Sequence, residues 1–248
     1  MQYRVEGIVI RSMDYGEGNK IITLLTNTHG KIGIVVRGAK KVKSRHGSLA
    51  QLFTHGEYLF FRNSGLGTLT HGEIIESHHL LREQLDKTAY SSYAAELVDR
   101  ALQEEDAGQF IYEQLKACLA AFSEGKDLPV TLALFEMKIL VAAGYAPDFN
   151  ACISCGNEGG SMALSVRGGG ILCGRCRYKD STAIELSEGA FKLLRLFRQL
   201  DMRRLGSIAV KEETKQQLKH IMRSLMDTHL GLQLKSRSFL DQMDRYSL

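Results

Sequence analysis

The chain has 248 residues, 44% of them hydrophobic and 24% charged, with a formal net charge of +4; that is longer than one small core needs and suits two or three modest domains of ordinary globular composition. No apolar run reaches the roughly 18 residues that would span a bilayer, so a membrane protein is excluded. The opening MQYRVEGIVIRSMDYGEGNK lacks the basic, apolar and small-residue regions of a secretory signal, so the expected location is the cytoplasm.

Charge is unevenly distributed. Residues 1–80 carry ten Lys or Arg against six Asp or Glu, residues 81–150 six against twelve, and residues 151–248 sixteen against ten, giving +4, −6 and +6. Such asymmetry suits outer segments that face a polyanion, with scattered surface charge as the plainer alternative.

The first 80 residues read as strands broken by turns. Segments 3–12, 19–27, 30–38, 57–63 and 67–77 are rich in β-branched and aromatic residues. NTHG at 27–30 and SGLG at 64–67 are hairpin-type connections, so the second and third strands, and the fourth and fifth, should be antiparallel neighbours. SLAQLF at 48–53 supplies a single helical turn between the third and fourth strands. Five strands with that insertion predict an OB-fold barrel, a common platform for single-stranded nucleic acid, and leave an SH3-like barrel open.

The loop after the third strand, RGAKKVKSR, holds Arg37, Lys40, Lys41, Lys43 and Arg45 with no acid among them. On the rim of a barrel they would meet phosphates, which give affinity without reading sequence. A merely solubilising loop is the alternative. Lys20 and Lys31 are nearby in sequence and are counted with them as DNA-binding candidates. Tyr15, Phe53, Tyr58, Phe60 and Phe61 are candidates for base stacking, although alternation should send about half of the last three into the core.

From His78 to about Gly144 the apolar spacing becomes three and four, predicting helices from 78 to beyond Leu102, over 110–122 and over 128–144. Asp127 and Pro129 give the last of these a start signal and Gly144 a stop. After Pro147 comes CISCGNEGGSMALSVRGGGILCGRCR. Cys152, Cys155, Cys173 and Cys176 form two Cys-x-x-Cys pairs seventeen residues apart, the spacing of a structural zinc ribbon. Such a site is closed to water and substrate, which argues against hydrolytic zinc chemistry; an iron–sulfur cluster or redox dithiols are the rival readings. Seven glycines leave the segment little side-chain core, so one structural Zn²⁺ would supply much of its folding free energy. Cys118 is the spare cysteine. Arg167, Arg175, Arg177 and Lys179 either compensate the charge of the cluster or face nucleic acid. Segments 186–200 and 212–231 are amphipathic helices, and Arg195, Arg198, Arg203 and Arg204 crowd one stretch of them.

Motifs of catalysis are absent: no Walker loop, no nucleophile elbow, no His-Glu-x-x-His. His78 and His79 would be adjacent on a helix and share no face, and Glu104, Glu105 and Asp106 read as solvated charge at a helix end. The architecture is therefore α+β: a barrel over 1–80, helices over 81–150, a four-cysteine segment over 151–180 and further helices over 181–248. The functional readings are a DNA-binding protein, a zinc-ribbon nuclease or an RNA-binding module.

The pattern DYGE, Lys20, Gly30 and RGA within MDYGEGNKIITLLTNTHGKIGIVVRGAKKVKSR, followed by a helical middle and four cysteines, resembles the RecO family of bacterial DNA repair and recombination proteins. The four-cysteine version is similar to that of its Gram-positive members. The resemblance implies an N-terminal OB-fold and no enzymatic activity. It implies binding of single- and double-stranded DNA, annealing of complementary strands, and work with RecR in loading RecA onto strands coated by single-stranded-DNA-binding protein. It also implies a nucleoid-associated location, a DNA-binding role for Arg37, Lys40, Lys41, Lys43 and Arg45, and zinc on the four cysteines.

Overall fold

The computed structural model describes residues 1–103 and 108–246, with side chains as far as Met243. The acidic run Glu104, Glu105 and Asp106 lies outside the described residues. The chain divides into two compact units, Met1–Gly125 with Leu234–Leu248, and Lys126–Gln233.

The first unit is built on a closed five-stranded barrel. Its strands are β1 (Gln2–Tyr15), β2 (Asn19–Thr26), β3 (Lys31–Val36), β4 (His55–Phe61) and β5 (Gly67–Glu76), in the order β1-β2-β3-β5-β4. Strand β1 pairs with β4 through Gln2–Ile8 and with β2 through Gly7–Tyr15, and an irregularity between Val9 and Arg11 bends it from one partner to the other. The expected antiparallel pairs β2–β3 and β4–β5 are present. Parallel pairing of Ile34 with Gly67 and of Val35 with Thr68 closes the barrel. Alternate residues point inward, so Val5, Val9, Ile22, Leu24, Ile34, Val36, Tyr58 and Phe60 make the core. Leu49, from the helical turn Ser48–Ala50, enters it. The approach is close enough that a Cβ on Gly72 would lie 2.9 Å from Leu49 Cδ1, which is why β5 carries glycine there.

Helices α1 (Leu80–Glu83), α2 (Leu85–Ala101), α3 (Gln109–Ser123) and α7 (Lys235–Tyr246) complete this unit. The helical stretch expected from His78 instead begins at Leu80 and is broken once before Leu102. His78 is left-handed, with φ of 49°, and Gln84 is extended between α1 and α2. Polar side chains join barrel to helices. Lys31 Nζ donates to the carbonyls of Asp99 and Leu102, both at 2.6 Å, satisfying the C-terminal end of α2. Glu6 Oε1 meets Tyr112 Oη at 2.6 Å, His55 Nε2 at 2.7 Å and Lys116 Nζ at 3.1 Å. The Tyr112 hydroxyl above all holds the Glu6 carboxyl down to about 2, against the opposing effect of burial.

Burial holds the neighbouring His78 imidazole down to about 4, although the Glu76 carboxylate pulls the other way. The unfolded chain therefore takes up a proton near pH 6.5 that the folded protein refuses until about pH 4. Stability contributed by neutral His78 is complete above that window and is lost as pH falls through it. His78→Asn keeps a residue tolerant of the left-handed backbone. Its thermal midpoint is expected to fall less steeply between pH 6.5 and 4 than that of the wild type, as followed by circular dichroism; an unchanged slope would discount the histidine.

The second unit contains α4 (Leu128–Ala142), a three-stranded sheet, α5 (Glu188–Gln199) and α6 (Glu212–His229). The expected start of α4 is seen directly: Asp127 accepts the Val130 N–H at 3.1 Å. Ser187 does the same for α5 through the Ala190 N–H at 3.2 Å. Lys138, buried on α4, donates to the Phe197 carbonyl at 2.6 Å near the end of α5, and burial brings its ammonium down to about 8. The sheet comprises β6 (Met162–Ser165), β7 (Gly170–Cys173) and β8 (Ile184–Glu185) in the order β7-β6-β8. Every residue of β6 and β7 is buried. The four-cysteine segment thus has more core than its glycine count suggested. Among the described residues, no helix is long and apolar enough to cross a membrane.

Candidate nucleic-acid interface and metal centre

Arg37, Lys40, Lys41, Lys43 and Arg45 lie on the loop that leaves β3; Arg37, Lys40, Lys41 and Lys43 are exposed there, and Arg45 follows at the loop's far end. The loop is held in place by its backbone. Gly38, with φ of 68°, turns the chain, and its N–H donates to Asn19 Oδ1 at 2.9 Å. The Lys40 N–H donates to the Gly18 carbonyl, and the Lys41 N–H to the Gly38 carbonyl, both at 3.1 Å. These bonds fasten the basic loop to the β1–β2 turn, which brings Lys20 and Tyr15 to the same end of the barrel. Asp14 lies between two of the cations, 2.7 Å from Lys40 Nζ and 3.5 Å from Lys20 Nζ, and the Lys40 hydrogen bond leads in lowering its pKa.

Lys31 does not join this group, because its ammonium is buried against the end of α2. Of the stacking candidates, Phe53, Tyr58 and Phe60 are core residues. Tyr58 and Phe60 occupy the inward phase of β4, while Phe53 closes a turn in the left-handed region, with its N–H bonded to the Val9 carbonyl. Tyr15 and Phe61 remain exposed, at 53% and 52%.

The two Cys-x-x-Cys turns meet in the second unit. The first is closed by the Gly156 N–H donating to the Cys152 carbonyl at 2.8 Å, with Gly156 at φ of 73°. The second follows β7, where the Cys176 N–H donates to the Cys173 carbonyl at 2.9 Å. All four sulfurs lie within 4.8 Å of one another, and Cys155 Sγ is 3.7 Å from Cys173 Sγ. Tetrahedral zinc with bonds of about 2.3 Å places its sulfurs about 3.8 Å apart, so the donor set fits that ion. Burial disfavours the Cys152 thiolate, but amide N–H groups of Cys173, Ser154 and Cys155 outweigh it and pull the thiol down. The Asn157 amide favours the Cys155 thiolate, but the three sulfurs around it together outweigh that effect and push the thiol up, as crowded thiols do when they must keep a proton between them. A divalent cation would remove that need. Cys118 stands apart, buried in α3, with its thiol raised well above the usual range by that burial.

Among the described residues, these cysteines are the only group of three or more His, Cys, Asp or Glu side chains placed to hold a metal. A cavity of about 540 Å³ beside β1 and α2 does include Glu96 and Asp99. Both are already engaged: Glu96 accepts the Lys235 and Ser236 N–H groups at the start of α7, and Asp99 lies 3.8 Å from Arg11 and 3.9 Å from Lys31. Farther along, Arg203 pairs with Asp201 at 2.7 Å and Arg195 lies over the Phe191 ring, so this basic stretch is partly committed to its own surface.

Two family models match the chain. One, described as Recombination protein O N terminal, covers residues 1–78, and the other, Recombination protein O C terminal, covers residues 82–238. Curated relatives are similar over nearly the full length. A DNA repair protein RecO of Bacillus subtilis is 44% identical over 98% of this chain and 96% of its own. Proteins of the same description from Bacillus pumilus and Bacillus cytotoxicus are 42% and 43% identical, covering 98% and 100% of this chain and 95% and 100% of theirs.

Proposed function

Because the chain belongs to the recombination protein O family, whose role lies in DNA repair and recombination, we propose that it is a non-enzymatic mediator that binds single- and double-stranded DNA and anneals complementary strands. Acting with RecR, it would load RecA onto single strands coated by single-stranded-DNA-binding protein, in the cytoplasm and in association with the nucleoid. The observation that carries this reading is the basic loop: five cations on a segment fastened by backbone hydrogen bonds to the β1–β2 turn of an OB-type barrel. Fixed cations at a barrel end attract phosphates without demanding a sequence. Arg37, Lys40, Lys41, Lys43, Arg45 and Lys20 are assigned to DNA, and Lys31 to fastening α2 onto the barrel. One structural Zn²⁺ is assigned to Cys152, Cys155, Cys173 and Cys176. The divisions 1–80, 81–150, 151–180 and 181–248 are proposed as segments of distinct role.

Titration of labelled oligonucleotides followed by fluorescence anisotropy tests the proposal. Single-stranded DNA of unrelated sequences should bind with similar affinity, and complementary strands should anneal faster with protein than without. Preference for RNA over DNA of equal length would favour an RNA-binding module instead. Reproducible strand cutting that requires a divalent ion and survives repurification would replace the mediator with a nuclease.

A further inference from the structure

Tyr178 is the most exposed aromatic side chain among the described residues, at 80%. It sits in the 3-10 turn Arg177–Lys179, directly after Cys176. That turn is held at both ends. The Lys179 N–H donates to the Cys176 carbonyl at 3.0 Å. The following Asp180 accepts the Ser165 hydroxyl of β6 at 2.6 Å and the Thr182 N–H at 2.9 Å. A single exposed ring is ordinary at a protein surface; what distinguishes this one is that it stands on a turn fixed by hydrogen bonds, between two exposed cations in the sequence.

The surrounding charge narrows the explanation. Arg177 is paired with Glu185. Arg175 and Lys179 are exposed and have no carboxylate partner among the described residues, and Tyr178 makes no side-chain hydrogen bond, ring contact or cation–π contact there. Compensation of a four-thiolate zinc centre would account for cations near the cysteines, but not for an unpartnered ring between them. An exposed π-face with exposed cations three residues before it and one after it in the sequence matches an unpaired base and its adjoining phosphates. A base in a duplex is already stacked on its neighbours and offers no such face.

We infer that Tyr178, Arg175 and Lys179 form a second binding point for single-stranded DNA, separate from the barrel loop, in which the ring stacks on an unpaired base and the two cations hold phosphates. The inference rests on the reading that the protein binds single-stranded DNA.

The chain contains no tryptophan, so Tyr178→Trp in the full-length zinc-loaded protein places a single indole fluorophore at the site. At saturation, established by anisotropy of a labelled strand, emission of the introduced indole should be quenched by oligothymidylate and not by an abasic strand of the same number of phosphates. A second pair of variants does not depend on the probe. Tyr178→Ala should weaken single-strand binding by about tenfold, as removal of one stacked base does, and Tyr178→Phe should not. Arg175→Ala with Lys179→Ala should flatten the dependence of log affinity on log salt by about 1.4. Unquenched emission at saturation, or equal affinity of the Ala and Phe variants, overturns this binding point while leaving the barrel reading intact. Failure of the wild type to bind any single strand overturns both.

Discussion

Simultaneous replacement of Arg37, Lys40, Lys41, Lys43 and Arg45 by alanine is expected to flatten the plot of log affinity for single-stranded DNA against log salt by about 3.5, at about 0.7 for each phosphate no longer held. Between about 50 and 200 mM salt, a slope of that size is worth about a hundredfold in affinity, so the wild type should weaken by that much more than the variant across the range. The effect should be alike for unrelated sequences, and annealing should fall with it, because two strands must be held and screened before they pair. Folding should survive, because none of the five side chains is buried and the bonds that fix the loop run through the backbone and Asn19. Lys40 pairs with the exposed Asp14, and such pairs are worth little. Lys31→Met provides the contrast. It leaves the carbonyls of Asp99 and Leu102 without their buried donor, so it should lower the thermal midpoint and leave the salt slope unchanged. Wild-type affinity and slope in the five-alanine protein would reduce the loop to solvated surface.

These two lysines show what sequence reading reaches and what it does not. Lys31 and Lys40 look equivalent in the sequence. What separates them is the end of α2, whose carbonyls come from residues 68 and 71 positions beyond Lys31. The barrel itself was legible because β-branched residues alternate along each strand and glycine-bearing turns separate them, both local signals. The ends were less so: β1 runs to Tyr15, past the expected Ser12, because its second half pairs with β2 beyond the bend. Helix α7 carries a helical spacing of apolar residues in Leu240 and Met243, but its start was not legible, because its first N–H groups are satisfied by Glu96, 139 residues before Lys235. His78 was assigned to a helix by its apolar neighbours, yet it takes a left-handed turn whose place is set by tertiary burial. The cysteines were the most legible feature, because a Cys-x-x-Cys turn brings its own two sulfurs together. The glycines around them misled only about the core, which Met162, Leu164, Ile171 and Leu172 supply.

That buried sheet sharpens the remaining prediction. Purified protein should carry one zinc per chain, and serine at Cys152, Cys155, Cys173 or Cys176 should release it, while Cys118→Ser should not. If free zinc stands at about a thousand times its dissociation constant, binding stabilises the fold by about 4 kcal/mol, or about 10 °C in the midpoint of a chain this size. Cys155→Ser is the variant best suited to the measurement, because Cys155 is exposed and its replacement leaves the apolar packing of β6 and β7 in place. It should remain soluble with a midpoint lower by about that amount, and chelation of the wild type should match it. Acid should act in the same direction, since binding requires thiolates and expels the protons that crowded thiols otherwise keep, so affinity falls as pH falls. Metal analysis that finds iron would replace zinc by a cluster. A variant that releases its metal and keeps the wild-type midpoint would show that the four sulfurs do not clamp the fold.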